Sequence, residues 1–141
     1  MTQDERNLLM KDLSTRLPYG VKLGFYAEAT KQTYTCTLLG LEPQDEKPVI
    51  AKTDCGNFCV LADHVKPYLF PMASMTEEQR EKYESLCETS YTRHYECGPI
   101  VYNTKFHDTV ESIDYLIENH FDYRGLIPMD LALDATGLNI Y

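Results

Sequence analysis

The sequence predicts an α+β protein with a β-rich first half and a mainly helical second half. Residues 20–70 contain short segments rich in Thr, Tyr and branched apolar residues, which favour strands. Residues 76–90 and 108–121 instead begin with capping signals and continue with apolar residues at helical spacing. The change falls at residues 65–79, which hold two prolines followed by a helix start.

The N-terminal segment, residues 2–17, is predicted to form a helix. Thr2 and Glu5 have the spacing of a capping box, in which each side chain bonds the other residue's backbone N–H. An apolar stripe repeats every four residues: Leu9, Leu13 and Leu17. The charged residues are expected on the other faces: Arg6, Lys11, Asp12 and Arg16. Because Pro18 and Gly20 follow, the helix ends there.

The strands are predicted over five segments: 21–25, 33–39, 49–53, 58–62 and 68–70. The connecting segments are rich in residues that favour turns, and Asp63-His64 is a candidate short turn before the last strand. Four or five short strands cannot form a stable flat sheet with a core on one side only. We therefore expect a small antiparallel, barrel-like β half. The order of strands and turns resembles that of Src-homology-3 and Tudor barrels.

Two helices are predicted in the second half. The first begins at Thr76, with Gln79 as its capping partner, and ends near Ser90 or Tyr91. Its inward residues are Tyr83, Leu86, Cys87 and Ser90. The second is opened by a capping box of Asp108 and Glu111, and its predicted buried face comprises Val110, Ile113, Leu116, Ile117, His120 and Phe121.

The segments around these helices complete the predicted architecture. Residues 91–107 are interpreted as a loop that could hold a short strand at 100–102, and the apolar residues 122–141 are expected to dock on the domain. Because residues 65–79 are too apolar for a solvated tether, we predict a single compact, cooperative unit over residues 1–141. In it, residues 1–71 form the N-terminal helix and the barrel-like β half, and residues 72–141 form the mainly helical half.

The chain is acidic, with a formal net charge of −9. Residues 76–141 carry thirteen Asp and Glu against five Lys and Arg. Such a surface repels phosphate, which disfavours a nucleic-acid partner without excluding the near-neutral first half. No apolar run approaches the roughly 20 residues of a membrane helix, and the polar start lacks a signal-peptide pattern. We therefore expect no membrane partner and a cytoplasmic location.

The motifs for enzymatic chemistry are weak. Cys55 and Cys59 have a spacing that zinc sites allow, but no matching second pair follows. The remaining cysteines, Cys36, Cys87 and Cys97, and the four histidines form no recognisable nucleophile motif. Glycine-rich phosphate loops are absent. We therefore predict no metal, no cofactor and no catalytic residue, and favour a protein that is not an enzyme.

Three aspartates near Arg124 could act in acid–base chemistry or cap turns. They are Asp122, Asp130 and Asp134, and each neighbours a turn residue or a helix start. Capping is the favoured interpretation.

Tyrosine is the most unusual component of the composition, with eleven tyrosines and no tryptophan. Tyrosine is enriched at binding surfaces because it joins apolar area to a polar tip. Tyr26, Tyr34 and Tyr68 lie on or beside predicted barrel strands and are the candidate partner-binding residues. The alternative is that they are half-buried and only pack.

Three stretches, residues 11–21, 65–78 and 119–135, resemble a family of short uncharacterised proteins from Bacteroides-type gut bacteria and their phages or mobile elements. The resemblance implies a bacterial cytoplasmic setting and a phage or mobile-element origin, and it brings no activity with it. The leading hypothesis for function is a non-enzymatic protein-binding or adaptor protein. The alternatives are a nucleic-acid-associated accessory factor and a small cysteine-dependent hydrolase.

Overall fold

The computed structural model describes residues 1–94 and 101–141 of the chain. It confirms an α+β protein with an N-terminal helix, a largely antiparallel sheet and further helices. The contacts divide the chain into two compact units, residues 1–74 with 117–141, and residues 75–116. Cooperative unfolding of the whole chain stays a prediction. Among the described residues, no helix is long and apolar enough to span a membrane.

The helices are α1 (Gln3–Arg16), α2 (Glu77–Leu86) and α3 (Val110–Glu118). The strands are β1 (Lys22–Ala27), β2 (Gln32–Leu41), β3 (Val49–Thr53), β4 (Gly56–Val60), β5 (Val65–Leu69), β6 (Glu88–His94), β7 (Val101–His107) and β8 (Leu133–Asp134). Short 3₁₀ turns cover Leu17–Tyr19, Ala62–His64 and Met72–Ser74.

The sheet of the first unit has the order β4-β3-β2-β1-β5-β8. All neighbours are antiparallel except β5 and β8, which are parallel. Among the described residues, β4 and β8 are the two edges, and no strand pairing closes the sheet into a barrel. The predicted turn before the last strand is the 3₁₀ turn between β4 and β5.

The core of the first unit lies between α1, the sheet and the C-terminal segment. The capping box of Thr2 and Glu5 forms as predicted, and Leu9 and Leu13 are fully buried against the sheet. Three residues of the C-terminal segment join the same cluster: Leu126, Leu131 and Ala132. The expectation that residues 122–141 dock is therefore confirmed.

The prediction that Asp12 and Arg16 face away from the core is wrong, because both side chains are 0% exposed. Arg16 Nε donates to Asp12 Oδ2 at 2.8 Å, and Arg16 Nη2 donates to the Phe121 carbonyl at 2.7 Å. Arg124 Nε lies 3.3 Å from Asp12 Oδ1 as an ion pair without hydrogen-bond geometry. A buried charge is tolerated when it is paired in this way.

Aromatic rings pack on one another beside the Phe121 carbonyl that accepts from Arg16, and they hold the last residue of the chain. The His120 and Tyr141 rings stack at 3.7 Å, and Phe70 lies 5.8 Å from Tyr141 and 6.2 Å from Phe121. The Tyr141 hydroxyl accepts from the Lys22 backbone N–H and donates to the Tyr68 carbonyl. We call six residues the C-terminal cluster: Asp12, Arg16, Phe70, His120, Phe121 and Tyr141.

Four of the five predicted strands have bounds that differ from the prediction, and β3 alone matches it. β4 begins at Gly56, two residues early, because that glycine adopts φ +125° and turns the chain directly into the ladder. β5 begins at Val65, although Pro67 lacks the N–H that a ladder uses. Pro67 still pairs with Leu23, and the strand continues to Leu69.

The second unit contains a hairpin that the sequence did not predict. α2 starts with the predicted capping box of Thr76 and Gln79 but ends at Leu86, before Ser90 and Tyr91. The reason is that β6 follows at once and pairs with β7. The interpretation of residues 91–107 as a loop is therefore wrong for residues 91–94 and 103–107. The candidate short strand at 100–102 is confirmed for residues 101 and 102, which begin β7, while residues 95–100 lie outside the described residues.

The start of α3 also differs from the prediction. Thr109 Oγ1 accepts from the Ser112 N–H, and Ser112 Oγ accepts from the Thr109 N–H. The capping box is thus shifted by one residue from Asp108 and Glu111. Val110, predicted to be buried, begins the helix and is 74% exposed. His120 lies beyond the last helical residue, Glu118, and adopts φ +64°.

Candidate functional site

A cavity of about 380 Å³ lies between the β1–β2 hairpin and the β3–β4 turn. We call it the aromatic pocket, and its lining consists of Phe25, Tyr34, Thr35, Thr53, Asp54, Cys55 and Phe58. Among the described ring contacts, none joins any two of its three aromatic rings. The rings therefore surround a space rather than filling it.

Strand register explains why the three rings come together. Phe25 pairs with Tyr34 across β1 and β2, and Phe58 pairs with Ala51 across β3 and β4. Paired residues project from the same face of a sheet. Since Ala51 and Leu23 are buried in the core, this is the core-facing side. The aromatic pocket lies on this side of the sheet, next to the β1–β2 and β3–β4 turns, where the strands extend beyond the buried core.

The two outer rings of the pocket are exposed although both are large. Tyr34 is 44% exposed and Phe58 is 50% exposed, whereas Phe25 is half-buried and lies 6.4 Å from the His64 ring. The Tyr34 hydroxyl lies 3.2 Å from both Thr30 Oγ1 and Gln32 Oε1. These contacts within the hairpin hold the Tyr34 ring in place beside the cavity.

The β3–β4 turn supplies the polar side of the pocket. Thr53 Oγ1 accepts from the Cys55 N–H at 3.2 Å and donates to the Gly56 carbonyl at 2.8 Å. These bonds fix the turn that carries Asp54 and Cys55, both of which are exposed. No described residue forms a hydrogen bond or an ion pair with the Asp54 carboxylate. Asp54 is thus an uncompensated negative charge at the pocket.

A second cavity of about 310 Å³, the polar pocket, lies against β1, β2 and β5. Its lining consists of Gly24, Tyr26, Thr33, Asp63, His64, Lys66 and Leu133. A Cβ added at Gly24 would lie 2.7 Å from Leu133 Cδ1, so the glycine leaves room for the Leu133 side chain to lie against β1.

The charged groups of the polar pocket already have partners. Lys66 Nζ lies 2.7 Å from Asp130, and Asp63 lies 3.1 Å from Arg6. His64 Nε2 lies 3.5 Å from Glu28. The aromatic pocket therefore has an unpaired charged group that could select a ligand, the Asp54 carboxylate, whereas the charged groups of the polar pocket are paired.

The three tyrosines proposed from the sequence do not share one surface. Tyr34 lines the aromatic pocket, whereas Tyr26 lines the polar pocket. The Tyr68 hydroxyl lies on the side of Gly24, which is also part of the polar pocket. Because Tyr26 pairs with Thr33, and the neighbouring residue Phe25 pairs with Tyr34, the first two tyrosines project from opposite faces. Whether any of them contacts a partner stays a prediction.

Sequence reasoning missed Phe25 and Phe58 as site residues. Both were recognised as strand residues, and an apolar residue in an alternating strand is usually buried. Their exposure depends on how far the ladder and the core extend along each strand. The one available signal was the turn sequence 54–57, which places Phe58 next to a hairpin end.

The cysteines differ in exposure. Cys36 is 4% exposed, its Sγ lies 3.6 Å from the Leu23 carbonyl, and burial raises the pKa of its thiol. Cys55 and Cys59 are exposed, and Cys87 is half-buried. In the described part of the chain, no group of three or more His, Cys, Asp or Glu residues could hold a metal ion. Cys97 lies outside the described residues.

The aspartates of the C-terminal segment act mainly as caps. Asp122 accepts from the Leu126 and Ile127 N–H groups at 2.7 and 2.9 Å. Asp134 accepts from the Thr136 N–H, and this hydrogen bonding lowers the pKa of its carboxyl. The capping interpretation is confirmed for both of these, whereas Asp130 pairs with Lys66 instead.

The second unit has a broad acidic cavity of about 680 Å³. Four carboxylates line it: Glu88, Asp108, Glu111 and Asp114. Asp108 is already engaged, since it accepts from the Tyr83 hydroxyl and from Ser112 Oγ. Burial and the hydrogen bond to Asp108 raise the pKa of Tyr83.

Comparison with protein-family models, with curated proteins and with solved structures finds no match to this chain. The aromatic pocket combines three aromatic rings, an unpaired carboxylate and an exposed thiol at one end of a sheet. This composition fits the recognition of a side chain.

Proposed function

We propose that this protein is a non-enzymatic protein-binding module whose partner docks at the aromatic pocket. The observation that carries the proposal is the joint exposure of Tyr34 and Phe58 beside the half-buried Phe25, around a cavity of about 380 Å³. Aromatic side chains that fill or form pockets dominate the binding energy of protein interfaces. A pocket of this size, near the lower end of the roughly 300–1,000 Å³ typical of ligand sites, accommodates individual side chains.

The proposal includes a Src-homology-3-like or Tudor-like form for the β half. The order β4-β3-β2-β1-β5, with a 3₁₀ turn between β4 and β5, supports it because the fifth strand returns beside the first. Small barrels of this kind place peptide grooves beside aromatic residues at their loops. NMR contacts in solution that place β5 beside a strand other than β1 would contradict this form.

The partner we propose is a protein with a basic surface. The carboxylate at the pocket is unpaired, and the chain as a whole carries a net charge of −9, most of it in residues 76–141. Charge complementarity of this kind steers association and suppresses partners of the same sign. No specific observation favours the nucleic-acid and cysteine-hydrolase alternatives, and they stay hypotheses.

We propose the bacterial cytoplasm as the setting and a phage or mobile element as the origin. The support is the resemblance carried by residues 11–21, 65–78 and 119–135. The genes next to the coding sequence test this, because a replication, tail or lysis cassette would identify the process. A chromosomal metabolic operon would contradict the mobile-element origin.

The docking site can be tested with the two exposed cysteines as a matched pair. Cys55 lines the aromatic pocket, whereas Cys59 pairs with Ile50, next to the pair of Phe58 with Ala51, and so projects from the opposite face. A photoreactive crosslinker is attached to one of the two thiols, with the other cysteines replaced by serine where the fold tolerates it. The full chain is then irradiated in a lysate of the native host.

The expected result is a discrete crosslinked partner from the Cys55 position and none from the Cys59 position. The variant Tyr34→Ala should abolish that product, and Tyr91→Ala, which removes a 68% exposed tyrosine outside the pocket, should not. The purified partner should then bind the wild-type chain in calorimetry and bind Tyr34→Ala at least about tenfold more weakly, as hot-spot residues do. Equal crosslinking from both thiols, or from neither, would exclude docking at the pocket.

A further inference from the structure

We propose that the aromatic pocket receives a cationic side chain of the partner protein, a lysine or an arginine, with Asp54 as its counter-charge. This inference rests on the proposed function and names the chemistry of the group that enters the pocket. It follows from three features of the pocket: its rings, its charge and its neighbours.

The rings provide an electrostatic surface that suits a cation. Phe25, Tyr34 and Phe58 line one cavity, and none of the described ring–ring contacts joins two of them. The face of an aromatic ring carries negative potential, and it attracts an ammonium or guanidinium group within about 6 Å. A cation that enters a cavity bordered by three such rings can contact more than one of them, and the aliphatic part of a lysine or arginine side chain can pack between the rings.

The charge of the pocket has the sign that a cation needs. Among the described residues that line it, Asp54 is the one charged side chain, and no described residue pairs with it. A carboxylate that remains unpaired in the free protein can form an ion pair with the incoming group without breaking another one. This contrasts with Lys66 and Asp63 in the polar pocket, which are already paired.

The neighbouring lysine does not compensate Asp54 from inside the pocket. Lys52 pairs with Thr37 and Asn57, and it alternates with Thr53, which lines the pocket. Because successive side chains of a strand project to opposite faces, Lys52 lies on the other side of the sheet. Because none of the described lining residues is a lysine or an arginine, an anionic group would meet Asp54 without a balancing charge in the lining, while an uncharged apolar group would leave Asp54 unpaired.

A pair of small probes tests the charge requirement directly. Choline carries a trimethylammonium group, and 3,3-dimethyl-1-butanol is its uncharged isostere of nearly equal shape. Each is titrated into the full-length chain and followed by ¹H–¹⁵N NMR. We expect choline to shift the amide signals of the pocket residues and to bind about three- to tenfold more tightly than the alcohol, the range that a cation–π contact provides.

Two substitutions then assign the counter-charge. Asp54→Asn should weaken choline binding about threefold or more, and added salt should weaken it in the wild type but not in this variant. Glu46→Gln removes one negative charge from the exposed β2–β3 loop, at the other end of these strands, and should leave choline binding unchanged. Phe58→Ala should weaken both probes.

The outcomes separate this inference from the proposed function. If the alcohol binds as tightly as choline, or if neither probe shifts the pocket signals, the cation inference is wrong. The function would still stand if the partner crosslinks from Cys55 and not from Cys59. If the crosslink fails while choline binds selectively, the pocket is a cation site in a protein that does not dock its partner there, and the lysine or arginine source is excluded.

Discussion

The two ends of β1 use aromatic side chains in opposite ways. At its start, the Lys22 N–H bonds the Tyr141 hydroxyl, and the rings of the C-terminal cluster pack on one another at 3.7 to 6.2 Å. At its other end, Phe25 joins Tyr34 and Phe58 around a cavity, and none of the described ring–ring contacts joins two of them. One end uses its rings for packing, whereas the other leaves them available.

The difference indicates that the rings of the aromatic pocket contribute less to stability than those of the C-terminal cluster. Exposed aromatic surface is tolerated only where it costs little or serves binding. The C-terminal cluster also buries an ion pair, with Asp12 and Arg16 both 0% exposed, so a loss there affects the whole first unit. We therefore expect substitutions in the C-terminal cluster to change the free energy of unfolding. Substitutions in the aromatic pocket should instead change the affinity for the partner protein.

The largest expected effect comes from Arg16→Ala. The substitution leaves Asp12 with the weakly oriented Arg124 alone and removes the donor to the Phe121 carbonyl. Breaking a buried ion pair on one side costs about 3–5 kcal/mol, which urea unfolding measures. Arg6→Ala breaks the exposed pair with Asp63 and should cost no more than about 1 kcal/mol. Equal losses in the two variants would contradict the comparison.

The next effect is a pH dependence that arises from His120. Burial, together with the nearby charge of Arg16, lowers the pKa of His120 to about 4. In the unfolded chain the pKa is near 6.5, so the unfolded state binds the proton first as the pH falls. The stabilising contribution is therefore fully present above about pH 6.5 and is lost toward pH 4. Because the His120 ring is only half-buried, solvent screening reduces the loss to about 1–2 kcal/mol.

The matched variant for this effect is His120→Asn. Asparagine tolerates the left-handed conformation that His120 adopts at φ +64°, and it does not titrate. Denaturant unfolding between pH 7 and pH 4 should lose more stability in the wild type than in the variant. Parallel curves for the two proteins would show that His120 is not protonated differently in the folded and unfolded states.

A smaller loss is expected for Tyr141→Phe. The ring can still stack on His120, but the hydroxyl that bonds the Lys22 N–H and the Tyr68 carbonyl is removed. One lost hydrogen-bonding group of this kind costs about 1 kcal/mol. The pKa of Tyr141, raised to about 12 by burial, is checked by alkaline titration of tyrosine absorbance. A stability equal to wild type would show that the hydroxyl bonds do not hold the end of the chain.

The smallest effect on stability is expected in the aromatic pocket. Because Tyr34 and Phe58 are 44% and 50% exposed, replacing either with alanine should lower the free energy of unfolding by about 1 kcal/mol or less. Both variants should nevertheless lose partner binding. A loss of several kcal/mol, comparable to that of Arg16→Ala, would mean that these rings serve the core and would remove the basis of the comparison.

Local patterns predicted the elements that depend on near neighbours. The capping boxes at Thr2 and Thr76 formed because their partners lie three residues away. The stripe of Leu9 and Leu13 was buried because helical spacing alone places both on one face. The strands of the first half were found from composition and alternation, with boundaries wrong by two or three residues at β4 and β5.

Features that depend on distant partners were not predicted. The first residues of β6 read as the end of α2 and the others as a loop, and the segment becomes a strand only because β7 lies opposite it. Asp12 and Arg16 read as surface charges, and they are buried because the chain returns at Phe121 to accept a hydrogen bond. A single sequence gives no signal for a contact that spans more than a hundred residues.

The sequence by itself therefore determined the α+β class, the N-terminal helix, the meander of short strands and the capping roles of Asp122 and Asp134, since each depends on spacing within a few residues. Only the tertiary structure decided the sheet order, the buried ion pair and the aromatic pocket. Strand register determines which face of the sheet each ring occupies, and a shift of one residue would move each ring of that strand to the opposite face. Tyr34 was found from composition, while Phe25, Phe58 and Asp54 became its neighbours only when β1–β2 and β3–β4 paired.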